Sequence, residues 1–294
     1  MSLLHTYIVI PVHNRLSLTR NCLASLKRQT VANFSIIVVD DGSTDGTSEM
    51  VRREFQDVAL LQGDGNLWWT GAINLGINFA LQNSRDGDYI ILLNDDLVVD
   101  SDYISNFLSA AHIKPNSIIG SVEVIEDAPN IITSGGVLVN WRNAKIRVLN
   151  RGKRLDSFPG DHLEPVSILP GRGTLYPVSV FKKVGLFDDR HFQQCGDIEL
   201  PRRAFLSGYE LFVYYGAVVK TVVDNVNTEN INSKASYSLK DFTRYFFDIR
   251  SNFRIRYRYS FSRSSSANPF SSFTYFLCDM TRVTSHFISR LSFR

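Results

Sequence analysis

Several separated stretches of this 294-residue chain carry side chains able to do chemistry. They are Pro11-Val12-His13-Asn14-Arg15, Asp40-Asp41-Gly42-Ser43-Thr44-Asp45, the segment Asn66 to Asn74 with Trp68, Trp69 and Gly71, and Asn94-Asp95-Asp96. Two more follow, Gly171-Arg172-Gly173-Thr174 and Gly196-Asp197-Ile198-Glu199. Each also has an ordinary reading. Asp, Gly and Ser are favoured in turns and helix caps for backbone reasons, so Asp40 to Asp45 alone reads as a turn followed by a cap. Asn94-Asp95-Asp96 closes the apolar run Ile90 to Leu93, as a strand terminator does, yet several acceptors at one strand end also suit a hard divalent cation. Alone, Asp197 reads as a helix cap and Glu199 as a first-turn acid. Gly63-Asp64-Gly65 misses the G-x-G-x-x-G spacing because position 68 is Trp, which leaves a dinucleotide site with little support.

What decides between these readings is where the elements would place the residues. The first 120 residues alternate short β-branched runs with longer amphipathic stretches, the pattern of β-α-β units building a mostly parallel sheet. Strands are predicted at Tyr7 to Ile10, Ser35 to Val39, Val58 to Leu61 and Tyr89 to Leu93, with helices near Ser17 to Arg28, Asp45 to Phe55 and Thr70 to Gln82. Ser43, Thr44 and Asp45 are start signals for the middle helix. Right-handed crossovers put the carboxyl ends of parallel strands on one edge, and ligands bind just outside that edge. Loops after four strands would thus bring polar groups to one crevice. From about Ile118 to Val180 the runs are broken by Gly, Pro and Asn, which predicts antiparallel strands and loops covering one edge of the sheet. Ser262 to Ser272 reads as a loop between two C-terminal helices.

Composition sets the outer limits. At 44% hydrophobic and 21% charged residues the chain can bury a full core, with one large domain and an appendage as the natural organisation. Cys22, Cys195 and Cys278 are odd in number and far apart, so neither a disulfide framework nor a zinc site is indicated, and a reducing cytoplasm fits. Neither a signal peptide nor a membrane-spanning run is expected. The net charge of +3 is uneven: from Lys234 on, 11 Lys and Arg face 3 Asp and Glu, leaving the earlier residues at −5.

Taken together and in this order, the motifs resemble the family 2 nucleotide-sugar glycosyltransferases of the GT-A fold, through most of residues 5 to 221. The strand ending in Pro11 with Asn14 looks like that family's start, and Val38 to Asp45 looks like its nucleoside-binding motif. By resemblance, Asp40 would accept a hydrogen bond from a pyrimidine base and Asp41 would lie near base or ribose. Pro11, His13, Asn14, Arg15, Asn94 and Asp95 join the donor side. Asn66, Gly71 and Asn74 look like the family's segment along the donor. Asn94-Asp95-Asp96 stands where the family has an Asp-x-Asp metal motif, which implies a divalent cofactor, Mg²⁺ or Mn²⁺, on Asp96. Two departures bear on it: Asn94 replaces the first carboxylate, as in some rhamnosyltransferase-like members, and Thr221 stands where many relatives place a metal-binding His. Trp69, Arg172, Gly173 and Thr174 are assigned to the acceptor side. Asp197 matches the family's catalytic base and Glu199 is the second candidate, since the expected neighbouring carboxylate is Gly196. One of Trp68 and Trp69 is expected in the core and the other on the pocket wall.

The resemblance implies an α/β GT-A domain over residues 1–224, a mostly parallel Rossmann-like sheet flanked by helices with a small antiparallel acceptor-side region. A basic, aromatic-rich helical appendage would occupy residues 225–294. It implies inverting transfer of a sugar from a nucleoside diphosphate donor, with dTDP-rhamnose or a UDP-sugar expected, to a hydroxyl of a glycan or lipid-linked acceptor in bacterial surface polysaccharide synthesis. Aromatics and arginines recur at helical intervals from Leu239 to Arg258, which suits either peripheral contact with the inner face of the plasma membrane or packing on the domain or a second subunit of a homodimer. Nucleic acid is not an expected partner. The rival readings are a nucleotidyltransferase, which would show a Gly-rich basic loop after the first strand, and a catalytically inactive sugar-nucleotide binding protein.

Overall fold

The computed structural model describes residues 4–193, 196–222 and 234–291. Strands β1 (Thr6–Val12), β2 (Phe34–Asp40), β3 (Ala59–Gln62) and β4 (Tyr89–Leu92) form the expected parallel set, in which β1 pairs with β2 and β4 and β2 pairs with β3. All seven residues of β1 are buried, because helices cover both faces of the sheet. On one face Val9, Ile37 and Val39 pack with Ala72, Ile73 and Ile77 of α3 (Trp68–Asn83). On the other, Ile8, Ile10 and Val38 pack with Cys22, Leu23 and Leu26 of α1 (Leu16–Leu26) and with Met50 and Val51 of α2 (Thr47–Glu54). Fully burying one such aliphatic side chain stabilises by about 1.5–3 kcal/mol, so this double layer fixes where the loops emerge. Helix α3 lies hard against the sheet because of Gly76, where a methyl group would fall 2.3 Å from the Val9 side chain. Asp45 ties the starts of two helices, accepting Leu16 N at 2.9 Å and Thr47 N at 3.1 Å.

The next elements are β5 (Leu97–Val99), α4 (Tyr103–Ile113), β6 (Ser117–Ile125), β7 (Ala128–Ser134), β8 (Val137–Asn140), β9 (Lys145–Val148), β10 (Leu163–Pro165), β11 (Thr174–Pro177), α5 (Val178–Val184), α6 (Glu199–Leu206) and β12 (Glu210–Thr221). Much of this segment continues the sheet instead of covering its edge. β11 runs antiparallel between β4 and β6, and β6 pairs in parallel with β12, so the order is β10-β12-β6-β11-β4-β1-β2-β3. The reason is burial. All four residues of β11 are enclosed, and a strand enclosed on both faces must satisfy its backbone through neighbours on both sides. β8 and β9 form a separate antiparallel pair.

The C-terminal region holds α7 (Asp241–Phe247), α8 (Ile255–Ser265) and α9 (Pro269–Ser289). The helical pattern expected to run from Leu239 to Arg258 is broken between Asp248 and Arg254. There Asp248 accepts from Arg250 N at 2.8 Å, Ser251 Oγ donates to Tyr245 O at 2.5 Å and Phe253 N donates to Ser251 Oγ at 3.1 Å. Such local side-chain bonds compete with the helical ladder. Helix α9 starts on a reciprocal cap between Asn268 and Ser271 with Pro269 in its first turn. The appendage docks on α6 through Arg202, whose guanidinium lies 3.9 Å from the Trp141 ring centre and whose Nε donates to Ser265 O at 2.9 Å. The expected domain boundary at residue 224 lies outside the described residues.

Candidate active site

A cavity of about 520 Å³ opens at the carboxyl ends of β1, β2 and β4. It is lined by Pro11, Val12, His13, Arg15, Asp41, Gly65, Trp68, Trp69, Ala72, Asn94, Asp95, Asp96 and Arg172. The loop after β1 is held by its own polar groups. His13 Nδ1 donates to the Asp41 carbonyl at 2.6 Å, which leaves Nε2 to accept from Asn14 Nδ2 at 3.0 Å. Asn14 in turn accepts Thr44 N at 2.7 Å, from a left-handed backbone (φ 52°) that Asn tolerates.

Asp40, expected at the base, is turned inward. Its Oδ1 accepts Ser43 N at 2.9 Å, its Oδ2 is held by Ser48 Oγ, and the residue is fully buried outside the cavity lining. A carboxylate at the end of a buried strand finds its donors in the turn that follows. Asp41 does reach the cavity, and its two oxygens accept Gly65 N at 2.8 Å and Trp68 N at 3.0 Å. Trp68 sits at φ 56°, a left-handed conformation that costs a bulky residue on the order of 1–3 kcal/mol and is held here by that hydrogen bond.

Within the donor segment, the residues that meet the cavity are Gly65 in the loop before α3 and Trp68, Trp69 and Ala72 in its first turns. Asn66, Gly71 and Asn74 lie elsewhere. Asn66 is exposed, Gly71 abuts Leu67, and Asn74 clamps Phe187, accepting its N–H at 3.1 Å and donating to its carbonyl at 2.9 Å. Both tryptophans line the cavity, and Trp69 also packs edge-on against Phe187 while its Nε1 donates to Asn94 Oδ1 at 3.0 Å.

Arg15 and Arg172 converge on Asp96 from two loops. Arg15 Nη1 lies 3.3 Å from Asp95 Oδ1 and 3.6 Å from Asp96 Oδ2, and Arg172 Nη1 lies 3.4 Å from the same Asp96 oxygen. Arg172 also approaches Glu123 Oε2 at 3.5 Å and donates to Thr221 Oγ1 at 2.9 Å. Burial pushes the Asp95 carboxyl up to about 7 against the pull of Arg15, and it raises Glu123 against Arg172. Glu123 was not among the expected residues; the one charged residue in the strand run Ile118 to Ile125 was its signal. Next to Arg172, Gly173 holds the backbone at φ 77°, and Thr174 is buried with Oγ1 on the Pro170 carbonyl at 2.7 Å.

Asp197 lies behind this loop, partly exposed and outside the cavity lining. Its Oδ2 accepts Gly171 N at 3.0 Å, and burial raises its carboxyl above the ordinary range, opposed by that bond and by Arg172. Gly171 is also pressed against the Trp69 ring. Glu199 is placed differently: Arg203 grips both its oxygens at 2.8 and 3.0 Å and reaches on to the carbonyls of Val184 and Leu186, which ties α6 to the loop after α5.

The groups around Asp96 offer a cation only part of a ligand set. Asp95 Oδ2 and Asp96 Oδ1 are buried without a hydrogen-bond partner, so the pair has unused accepting capacity. Asp96 Oδ2, however, lies under two guanidiniums, Thr221 is taken by Arg172, and among the described residues no group of three or more His, Cys, Asp or Glu is disposed to hold a metal. Mg²⁺ and Mn²⁺ take several oxygen ligands. This donor set does not fit a metal held by the protein alone.

Comparison with known proteins bears on the whole of this arrangement. A rickettsial relative from Rickettsia typhi, named as an uncharacterized glycosyltransferase, is 25% identical over 236 residues, 76% of this chain and 65% of its own length. The N-acetylglucosaminyl-diphospho-decaprenol L-rhamnosyltransferase of Mycobacterium tuberculosis is 30% identical over 211 residues, 65% of this chain and 67% of its own. The chain thus spans about two thirds of these relatives. Among solved structures, a mannosyltransferase from Pyrobaculum calidifontis in complex with GDP-Man and Mn²⁺ superposes with TM-score 0.60 at 16% identity, over 97% of this chain and 74% of that one. GalNAc-T7 with UDP, GalNAc and Mn²⁺ gives 0.61 at 16% identity, over 95% and 55%. The fold is therefore GT-A, with a mostly parallel sheet flanked by helices, a small antiparallel sheet and C-terminal helices. The model of glycosyl transferase family 2 matches residues 7–179, more than half of the sequence and every strand that feeds the cavity from β1 to β11, and to that family of glycosyltransferases this chain belongs.

Proposed function

We propose that the cavity binds a nucleoside diphosphate sugar and that the chain transfers the sugar, with inversion, to a hydroxyl of a glycan or lipid-linked acceptor. Asp197 is the base. It takes the acceptor proton while that oxygen attacks the anomeric carbon, the carbon–oxygen bond to the diphosphate breaks on the opposite face, and the nucleoside diphosphate leaves with the electron pair. Such a base contributes on the order of 10²–10⁴ in rate, and its upward-shifted carboxyl is the better proton acceptor for it. The observation that carries this reading is the pair Gly171 and Arg172: consecutive residues hold Asp197 by a backbone N–H and set a guanidinium over Asp96. Pro11, His13, Asp41, Trp68 and Trp69 then wall the nucleoside and sugar, with Glu199 supporting α6 through Arg203.

The Asn94 departure and the decaprenyl-linked substrate in the mycobacterial relative's name support a dTDP-rhamnose donor and a lipid-linked acceptor. Contact with an anionic membrane face fits the same reading. On α9 the exposed Phe270, Phe273, Leu277 and Ile288 follow helical spacing opposite the buried Tyr275, Asp279 and Val283, and Arg256 and Arg263 are exposed beside them in sequence on α8. Among the described residues no helix is long and apolar enough to cross a membrane. The test is release of nucleoside diphosphate from dTDP-, UDP- and GDP-sugars with a polyprenyl diphosphate glycan as acceptor. Asp197→Ala should bind donor and fail to transfer it; full transfer by that variant removes the proposed base, and no turnover of any donor by the unaltered chain favours an inactive binding protein.

A further inference from the structure

A diphosphate leaving group gains negative charge as the bond to the sugar breaks, so one end of the cavity must offer positive charge. We infer that Arg172, seconded by Arg15, provides that charge directly, and that this chain binds its nucleoside diphosphate with divalent ions removed. The inference rests on the donor reading above and moves Arg172 from the acceptor side to the leaving group.

Both guanidiniums face the cavity from different loops and meet at one oxygen, Asp96 Oδ2, at 3.4 and 3.6 Å. A cation on the acidic motif would need that oxygen as a ligand, and the two guanidiniums occupy it. On the far side Arg172 Nη2 donates to Thr221 Oγ1 at 2.9 Å, the last residue of β12, so the arginine ties the acidic motif to the end of that strand. Glu123 Oε2 at 3.5 Å from Nε holds the third corner of the fork. The backbone beneath is fixed as well. Gly173 donates to the Leu92 carbonyl at 3.0 Å and accepts Ser121 N at 2.9 Å, while a side chain at Gly173 would strike Tyr103, Ser121 and Val219 at 2.5–2.7 Å. A guanidinium has five N–H donors in a rigid fork, so after Asp96, Glu123 and Thr221 are served, donors remain for phosphate oxygens. Held this way, Arg172 needs little reorganisation when the diphosphate arrives, which is the condition for effective electrostatic stabilisation.

The experiment is calorimetric titration of UDP, dTDP and GDP into the full chain, in EDTA and in Mn²⁺, with thermal midpoints as the folding control. At least one diphosphate is expected to bind in EDTA within about tenfold of its affinity in Mn²⁺. Arg172→Ala should weaken binding in EDTA by about 10- to 100-fold, the value of a charge-assisted hydrogen bond or two, with Arg172→Lys recovering part and Arg15→Ala losing less. Binding that appears only with Mn²⁺, or an Arg172→Ala titration in EDTA identical to that of the unaltered chain, would overturn the inference while leaving the donor reading intact. No binding of any diphosphate under either condition would remove both. Arg15 is half exposed, so its variant reports even where Arg172→Ala folds poorly.

Discussion

The backbone N–H of Gly171 donates to Asp197 Oδ2 at 3.0 Å, and a methyl group on Gly171 would fall 3.1 Å from the Asp197 Cβ and 2.4 Å from the Trp69 ring. Three groups are therefore packed so closely that the middle one can only be glycine. Gly171→Ala should displace Trp69 or the carboxylate, and a displacement of about 1 Å in a reacting geometry is able to cost on the order of 10²-fold in rate. Steady-state kinetics should show the loss in kcat with donor affinity changed far less; unchanged kcat would mean that the contact has no part in turnover.

The acid limb of the pH profile follows from the burial of Asp197. A buried carboxyl holds its proton to higher pH than an exposed one near 3.9, so transfer should fall away as pH drops through a value above 3.9. The same shift has a stability sign. The folded state binds the proton more tightly than the unfolded one, so the cost is absent below the unfolded value and fully present above the folded one. Asp197→Asn should accordingly raise the thermal midpoint at pH 8, leave it nearly unchanged at pH 3, and abolish transfer at pH 8.

Glu199 gives the opposite pattern. Arg203, itself partly exposed, holds both oxygens of buried Glu199, and losing such charge-assisted hydrogen bonds costs about 1.5–3 kcal/mol. Glu199→Ala should unfold at markedly lower urea concentration, while the folded fraction at low temperature keeps a kcat within a few-fold of the original. A folded Glu199→Ala protein without activity would make Glu199 part of the chemistry.

Trp68 offers a ring to the cavity from a strained backbone. Replacing it with Asn, which tolerates the left-handed region, should leave the thermal midpoint close to the original while weakening nucleotide binding by about tenfold, the scale of one base stacked on an aromatic ring. Fluorescence quenching or calorimetry with UDP and dTDP would read this, and equal affinities would place the base elsewhere.

The parallel half of the fold was legible because its signals are local. Buried runs such as Tyr7 to Ile10 and Ser35 to Val39 need cover on both faces, and the observed strands begin and end within two residues of them. Where spacing could not say how a polar side chain is used, a partner elsewhere decided it. Asp40 found Ser43 in the turn that follows it and Ser48 in α2, and Asn74 found Phe187, 113 residues away, which no spacing rule anticipates. The C-terminal pattern missed its break for a similar reason, since Asp248 and Ser251 are unremarkable in a helical periodicity and yet cap the backbone locally. Likewise Gly, Pro and Asn between Ile118 and Val180 mark irregularity truthfully, but they do not say that Leu175 and Tyr176 between them run through the middle of the sheet.

One carboxylate, that of Asp41, receives the backbone of both Gly65 and Trp68. The loop that follows the second strand and the one that opens the third helix are thereby latched into a single piece. Tailoring this enzyme toward another nucleobase by exchanging one rim segment at a time would break the latch, so grafts should succeed only when residues 41 and 65–68 travel together.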